Sequence, residues 1–187
     1  MASQPFKSVA GQRGSSIDIH VPELADVLAP WRNPTLGIAT LGVPPHISLL
    51  YPWQTPPLTI RDVEVVRAAV VGFTAFPISF STIRRFSPTV LYLALDDDSG
   101  VKALMQAMRR AFPAIQPYGG QIADPIPHLT VAKAQTDAEL DQLEREMLSA
   151  FGVRLPMAYQ VEQIVVMEEG LGGQWRDFAS IRLGVSG

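Results

Sequence analysis

Pro45-His46-Ile47-Ser48-Leu49 and Pro127-His128-Leu129-Thr130-Val131 read alike, class by class: proline, histidine, aliphatic, hydroxyl, aliphatic. In a strand successive side chains point to opposite faces, so each run presents its histidine and hydroxyl on one side and sends its aliphatics into a core. A single His-x-Thr in a strand is most often structural. Two copies in one five-residue context, in a chain with only three histidines, ask for another explanation.

Outward from the two runs, the order of elements also repeats. Before them, Ser16 to Val21 alternates as a strand, and Pro22 opens a short helix to about Trp31. The first run, His46 to Tyr51, is a strand stopped by Pro52. Thr59 or Asp62 then opens a helix to about Phe73, with Val63, Val66, Val70 and Val71 on its apolar side. Pro77–Arg85 and Thr89–Leu95 alternate as a hairpin, and Asp98 or Ser99 caps a helix through Arg110. A loop rich in Pro and Gly, 113–127, delivers the second strand, His128 to Ala132. Thr136-Asp-Ala-Glu139 is a capping box for a helix to about Phe151, and Leu155–Glu168 with Trp175–Leu183 closes a hairpin around Gly170, Gly172 and Gly173. Both halves thus run Pro-rich loop, histidine strand, helix, hairpin. A duplicated unit places its functional residues symmetrically about the space between the copies.

The composition narrows the function. With 187 residues, 47% hydrophobic and 18% charged, the chain can bury one ordinary core. It has no cysteine, which excludes disulfides, zinc–thiolate sites, iron–sulfur clusters and thiol nucleophiles, and fits a reducing cytoplasm. The most apolar window, 63–80, is interrupted by Glu64, Arg67 and Pro77, so no membrane span is expected. A net charge of −3 lacks the basic excess of a protein that grips long nucleic acid. A small phosphate ligand or an RNA end stays open, and twelve arginines against three lysines suit phosphate oxygens.

Two imidazoles and two hydroxyls around one small volume suffice for phosphodiester cleavage. One neutral histidine takes a proton from water or a ribose hydroxyl, and the other, protonated, gives one to the leaving oxygen. The hydroxyls donate to the non-bridging oxygens. No metal or other cofactor is required. The chain has no Lys-x-Asp-Gly of nucleotidyl-transferring ligases, no Gly-x-x-x-x-Gly-Lys-Ser/Thr loop and no His-x-x-x-His. Ligation, if it occurs, is the reversal of cyclic-phosphate opening by an RNA hydroxyl.

The paired His-x-Ser/Thr runs, with Tyr118-Gly119-Gly120 ahead of the second, resemble the 2H phosphoesterase superfamily, in particular the bacterial 2′-5′ RNA ligase-like proteins. The resemblance spans nearly the whole chain from about Ser16, although Ser48 stands where threonine is commoner. It implies an α+β fold of two pseudo-symmetric lobes of antiparallel sheet, helices outside and a central cleft. Residues 1–15 read as a flexible leader and 16–187 as a single bilobal domain. The implied activity is opening of 2′,3′-cyclic phosphates on nucleotides or RNA ends by a cytoplasmic monomer. His46 and His128 carry the proton transfers, and Ser48 and Thr130 hold the phosphate. Tyr51, Arg85, Phe86 and Tyr118 are candidates for the substrate rim. Trp175 could also stack on a base, and Arg84 and Arg85 point to opposite faces, so at most one of them looks into the cleft. His20, sharing a strand face with Asp18, reads as an ordinary strand histidine. A 2′-5′ ligase using the same site and a non-catalytic phosphate-binding module are the competing readings.

Overall fold

The computed structural model describes residues 13–86, 88–120, 122 and 124–184, with the side chains of Tyr118 and Gly119 outside the description. The described residues form eight strands and four α-helices, in the order β1 (Ser15–His20), α1 (Ala25–Thr35), β2 (His46–Leu50), α2 (Ile60–Val70), β3 (Phe76–Phe86), β4 (Val90–Leu95), α3 (Ser99–Ala111), β5 (His128–Lys133), α4 (Asp137–Ala150), β6 (Met157–Val161), β7 (Gln163–Glu169) and β8 (Trp175–Arg182). No helix among the described residues is long and apolar enough to cross a membrane.

Local chemistry explains where the helices start. Thr59 accepts from the Asp62 N–H while the Asp62 carboxylate accepts from the Thr59 N–H at 2.7 Å, so two orphan donors of α2 are satisfied together. Thr136 and Glu139 do the same for α4. The first helix outruns the expected stop near Trp31. It passes through Pro30 and Pro34 to Thr35, whose hydroxyl donates to the Trp31 carbonyl at 2.7 Å, and its Leu28 and Arg32 are buried.

The strands form one antiparallel sheet in the order β6-β3-β4-β5-β2-β1-β7-β8. It divides into two quartets, β6-β3-β4-β5 and β2-β1-β7-β8, which meet where the two histidine strands lie side by side. That seam is narrow: β2 and β5 are in register only at Ile47 and Leu129, whereas every other neighbouring pair is registered over four positions or more. The main core fills one face of the sheet, with Ile17, Ile19, Ile47, Leu49, Leu91, Leu93, Leu129, Val131, Ile164 and Val166 packed under the helices. Each half braces the other, because α1 packs on β5 and α3 on β2.

One expected element differs. The stretch Leu155–Glu168 is two strands, not one, interrupted at Glu162. Its first part pairs with β3 in one quartet, and its second pairs with β1 and β8 in the other. No Gly, Pro, Asn or Asp marks the break, but the alternation slips there: Glu162 and Gln163 are consecutive polar residues, and the core-facing positions pass from Val161 to Ile164 as the strand changes partner.

Candidate active site

Residues opposite one another in paired strands share a face. Continuing the register that sets Ile47 against Leu129, His46 stands opposite Thr130 and Ser48 opposite His128. The four side chains therefore make a quadrilateral on the face away from the helices, about 5 Å across the strands and about 7 Å along them in ideal sheet geometry. The rows extend outward. Arg84, Tyr92, Thr130, His46 and His20 form one, and Thr82, Ala94, His128, Ser48 and Asp18 the next.

The two imidazoles are oriented alike. His46 Nδ1 bonds the Pro44 carbonyl at 2.9 Å, and His128 Nδ1 bonds the Ile126 carbonyl at 2.7 Å. A carbonyl only accepts, so Nδ1 carries the hydrogen in both rings. That leaves each Nε2 to hold or release the mobile proton. The proline ahead of each histidine turns the chain so that the carbonyl two residues back faces the ring.

Their surroundings differ. His128 sits in an aromatic corner, edge-on to Phe86 (centroids 4.9 Å apart) and Tyr92 (5.3 Å), which stack on each other at 4.1 Å. Burial there pushes its pKa down; the Ile126 hydrogen bond opposes this, and His46 and Lys133 add to it. His46 instead has His20 directly across β1 and Asp18 one step along. Burial pushes His20 down to about 4, against the attraction of Asp18 and with a further push from His46. Asp18 is 1% exposed; its Oδ2 accepts from the Ser16 hydroxyl, and its buried Oδ1 has no hydrogen-bond partner among the described residues.

The remaining expected residues fall in different places. Phe86 stands beside His128 as described. Tyr51 follows β2 and packs on Trp175 (6.5 Å), with Val43, Val165 and Met167 in a small cluster. Val165 and Met167 lie opposite Asp18 and Ser16, so this cluster covers the site face of the β2-β1-β7-β8 quartet. Trp175 itself is 8% exposed. The Tyr118 side chain is outside the described residues. Arg85 pairs with buried Leu91 on the helix face, donating to Asp141 (2.8 Å) and Glu144 of α4. Its neighbour Arg84, opposite Tyr92, is the arginine on the site face.

Sequence reasoning missed Tyr92, Lys133 and Arg32. Lys133 lies opposite Val90, which lies opposite Phe86, so it belongs to the site face. It makes no ion pair among the described residues, and burial lowers its pKa to about 8. Its place at the end of the second histidine strand was the available signal. Tyr92 had one too, as an aromatic with a polar tip between two leucines of an alternating strand. Arg32 is buried and donates to the Val43 and Pro44 carbonyls. Among the described residues no cluster of three or more His, Asp or Glu is placed to hold a metal ion.

Comparison with solved structures finds the same architecture at low sequence identity. Escherichia coli LigT in apo form matches with a TM-score of 0.59 at 15% identity, over 92% of this chain and 98% of that one. E. coli LigT complexed with 3′-AMP gives 0.56 at 14%, over 92% and 99%. TT0787 of Thermus thermophilus gives 0.57 at 15%, over 94% and 100%. No curated protein matches the chain. The family model of the 2′-5′ RNA ligase superfamily matches residues 21–173 and so includes both histidine strands and their connecting lobes: the chain belongs to that superfamily.

Proposed function

We propose that this chain opens 2′,3′-cyclic phosphates on nucleotides or RNA ends, without a metal, using His46 and His128 as the acid–base pair. The observation that carries the reading is the matched orientation of the two rings, each with Nδ1–H tied to a backbone carbonyl. Water attacks phosphorus as one neutral Nε2 takes its proton. The bond from phosphorus to one ribose oxygen breaks, and the other histidine, protonated, supplies that oxygen with its proton. The product is a phosphomonoester beside a free hydroxyl, and the two histidines have exchanged protonation states. Ser48 and Thr130, one beside each histidine, donate to the non-bridging oxygens, and Lys133 adds a cation on the same face. An anionic phosphate against His128 favours the charged imidazole, opposing the burial that lowers its pKa in the free protein.

The fold neighbour E. coli LigT has been crystallised with 3′-AMP and with phosphate, ligands of the chemical class proposed here. The net charge of −3 favours a small acceptor, hence water over a second RNA strand. The test is a panel of 2′,3′-cyclic nucleotides, cyclic-phosphate RNA ends and 2′-5′ linked oligonucleotides assayed in EDTA. His46→Ala and His128→Ala should each lose about 10²–10⁴-fold in turnover. Either variant keeping about half of wild-type rate, in a system where general acid–base catalysis is worth far more than that, ends the two-histidine mechanism. Joining of RNA ends in place of hydrolysis would make the chain a ligase working through the same site.

A further inference from the structure

Arg32, in the last turn of α1, is 5% exposed and makes no ion pair with a carboxylate among the described residues. A buried cation without a counter-charge is costly, and burial lowers its pKa to about 10, which still leaves it charged at neutral pH. What holds it is backbone. Its Nη2 donates to the Val43 carbonyl at 2.8 Å and to the Pro44 carbonyl at 2.7 Å. The Pro44 oxygen is the same atom that accepts Nδ1–H of His46 at 2.9 Å. One carbonyl therefore takes two donors, and one of them is a guanidinium.

The loop is built around this contact. Pro44 and Pro45 have no N–H to satisfy, and the Pro45 carbonyl accepts from the Val21 N–H at 2.8 Å, so each carbonyl from 43 to 45 is bonded. The second histidine has no equivalent. The Ile126 carbonyl bonds the His128 ring, Ile126 is 52% exposed, and no arginine among the described residues bonds that carbonyl.

We propose that Arg32 is a positioning residue that acts on His46 through the shared Pro44 carbonyl, fixing the ring with Nε2 toward the phosphate and disfavouring its imidazolium. The guanidinium draws on the lone pairs that would stabilise Nδ1–H of a charged ring, and its own charge repels that form across the oxygen they share. Among the described residues, the charged or titratable groups on the strands around His46 include His20 and Asp18 from β1, with Asp177 beyond His20, and His128 from β5, with Lys133 farther along that strand. They are common to wild type and Arg32 variants, so a difference between these proteins reads Arg32 alone.

The inference rests on the reading of His46 as a reacting group, and its test is chosen to stand apart from turnover. The imidazole Cε1–H signals of the ligand-free full chain are titrated by NMR in wild type, Arg32→Gln and Arg32→Lys. In Arg32→Gln, which keeps a donor and loses the charge, His46 should titrate higher by about half a pH unit, roughly threefold in proton affinity, with a smaller change at His128. Arg32→Lys, which keeps the charge, should leave His46 near its wild-type titration. Turnover of a 2′,3′-cyclic nucleotide should fall about tenfold in kcat for Arg32→Gln, with KM within about twofold, as expected when a transition-state contact is disturbed and ground-state binding is not. A folded Arg32→Gln whose His46 titrates as in wild type overturns the proposal. Arg32→Met, which keeps most of the side-chain volume, gives the same readout should the amide variant not fold. If wild type turns over none of the cyclic phosphates, the proposed function fails, and the titration still decides the role of Arg32.

Discussion

Between Pro44 and His46 the chain is pinned by a buried arginine, by the Val21 N–H and by the histidine itself, whereas at Ile126, an exposed residue, the ring of His128 makes the bond. The flanks differ as well. Across the sheet, Asp18 and His20 stand beside Ser48 and His46, while Tyr92 and Ala94 stand beside Thr130 and His128. Two runs of nearly the same sequence thus present the same atoms from a polar support and from an aromatic one. The repetition supplies the geometry of the quadrilateral, and the neighbours decide how each histidine holds its proton.

After the histidines themselves, the largest effect should come from the hydroxyls, which test whether the twins share the phosphate equally. Thr130→Val and Ser48→Ala should each lower kcat/KM, by up to ~2.7–4 kcal/mol where the oxygen they touch gains charge in the transition state. Thr130→Ser and Ser48→Thr should be mild. If Thr130→Val works as well as wild type, Thr130 fills space in a strand, where valine is equally at home.

A comparable effect on stability should come from His20, which has no titratable counterpart on the aromatic side. Its pKa is about 4 in the fold against 6.5 when free, so the unfolded chain binds its proton first. The stability it contributes is complete above pH 6.5 and is lost as pH falls toward 4, by roughly 3 kcal/mol. Denaturant unfolding at both ends of that window should show a smaller loss for His20→Gln than for wild type, and equal losses would show that His20 is not kept neutral by its surroundings.

The smallest effect is expected at Arg85. Because its guanidinium is taken up by Asp141 and Glu144, Arg85→Ala should leave kcat/KM within about twofold of wild type, as for surface ion pairs in general. A large fall in activity would place Arg85 back at the substrate.

The sequence-level reading of the site worked where the information is local. The alternation rule put each histidine and its hydroxyl on one face, and the Thr59 and Thr136 boxes marked two helix starts. It stopped where the deciding partner is distant. Strand parity separates Arg84 from Arg85 but leaves open which of them meets the substrate, and the carboxylates that settle it lie 56 and 59 residues away. The break at Glu162 leaves only a slip in the alternation at Glu162-Gln163, with no turn residue, and the change of partner that makes it a break is again a distant contact. Arg32 was hidden too, because nothing in an arginine between Trp31 and Asn33 announces a carbonyl eleven residues on.

The path of the chain through the two quartets also bears on how the protein is made. Strands β3 to β6 occupy the continuous stretch from Phe76 to Val161, while the other quartet joins β1 and β2 to β7 and β8 across that whole interval. A ribosome therefore delivers one complete quartet from the middle of the message, whereas β1, made before it, keeps an unpaired edge until β7 emerges. An open edge is a template for pairing with other chains. The half of the molecule that is begun first is completed last, and it carries His46 with it.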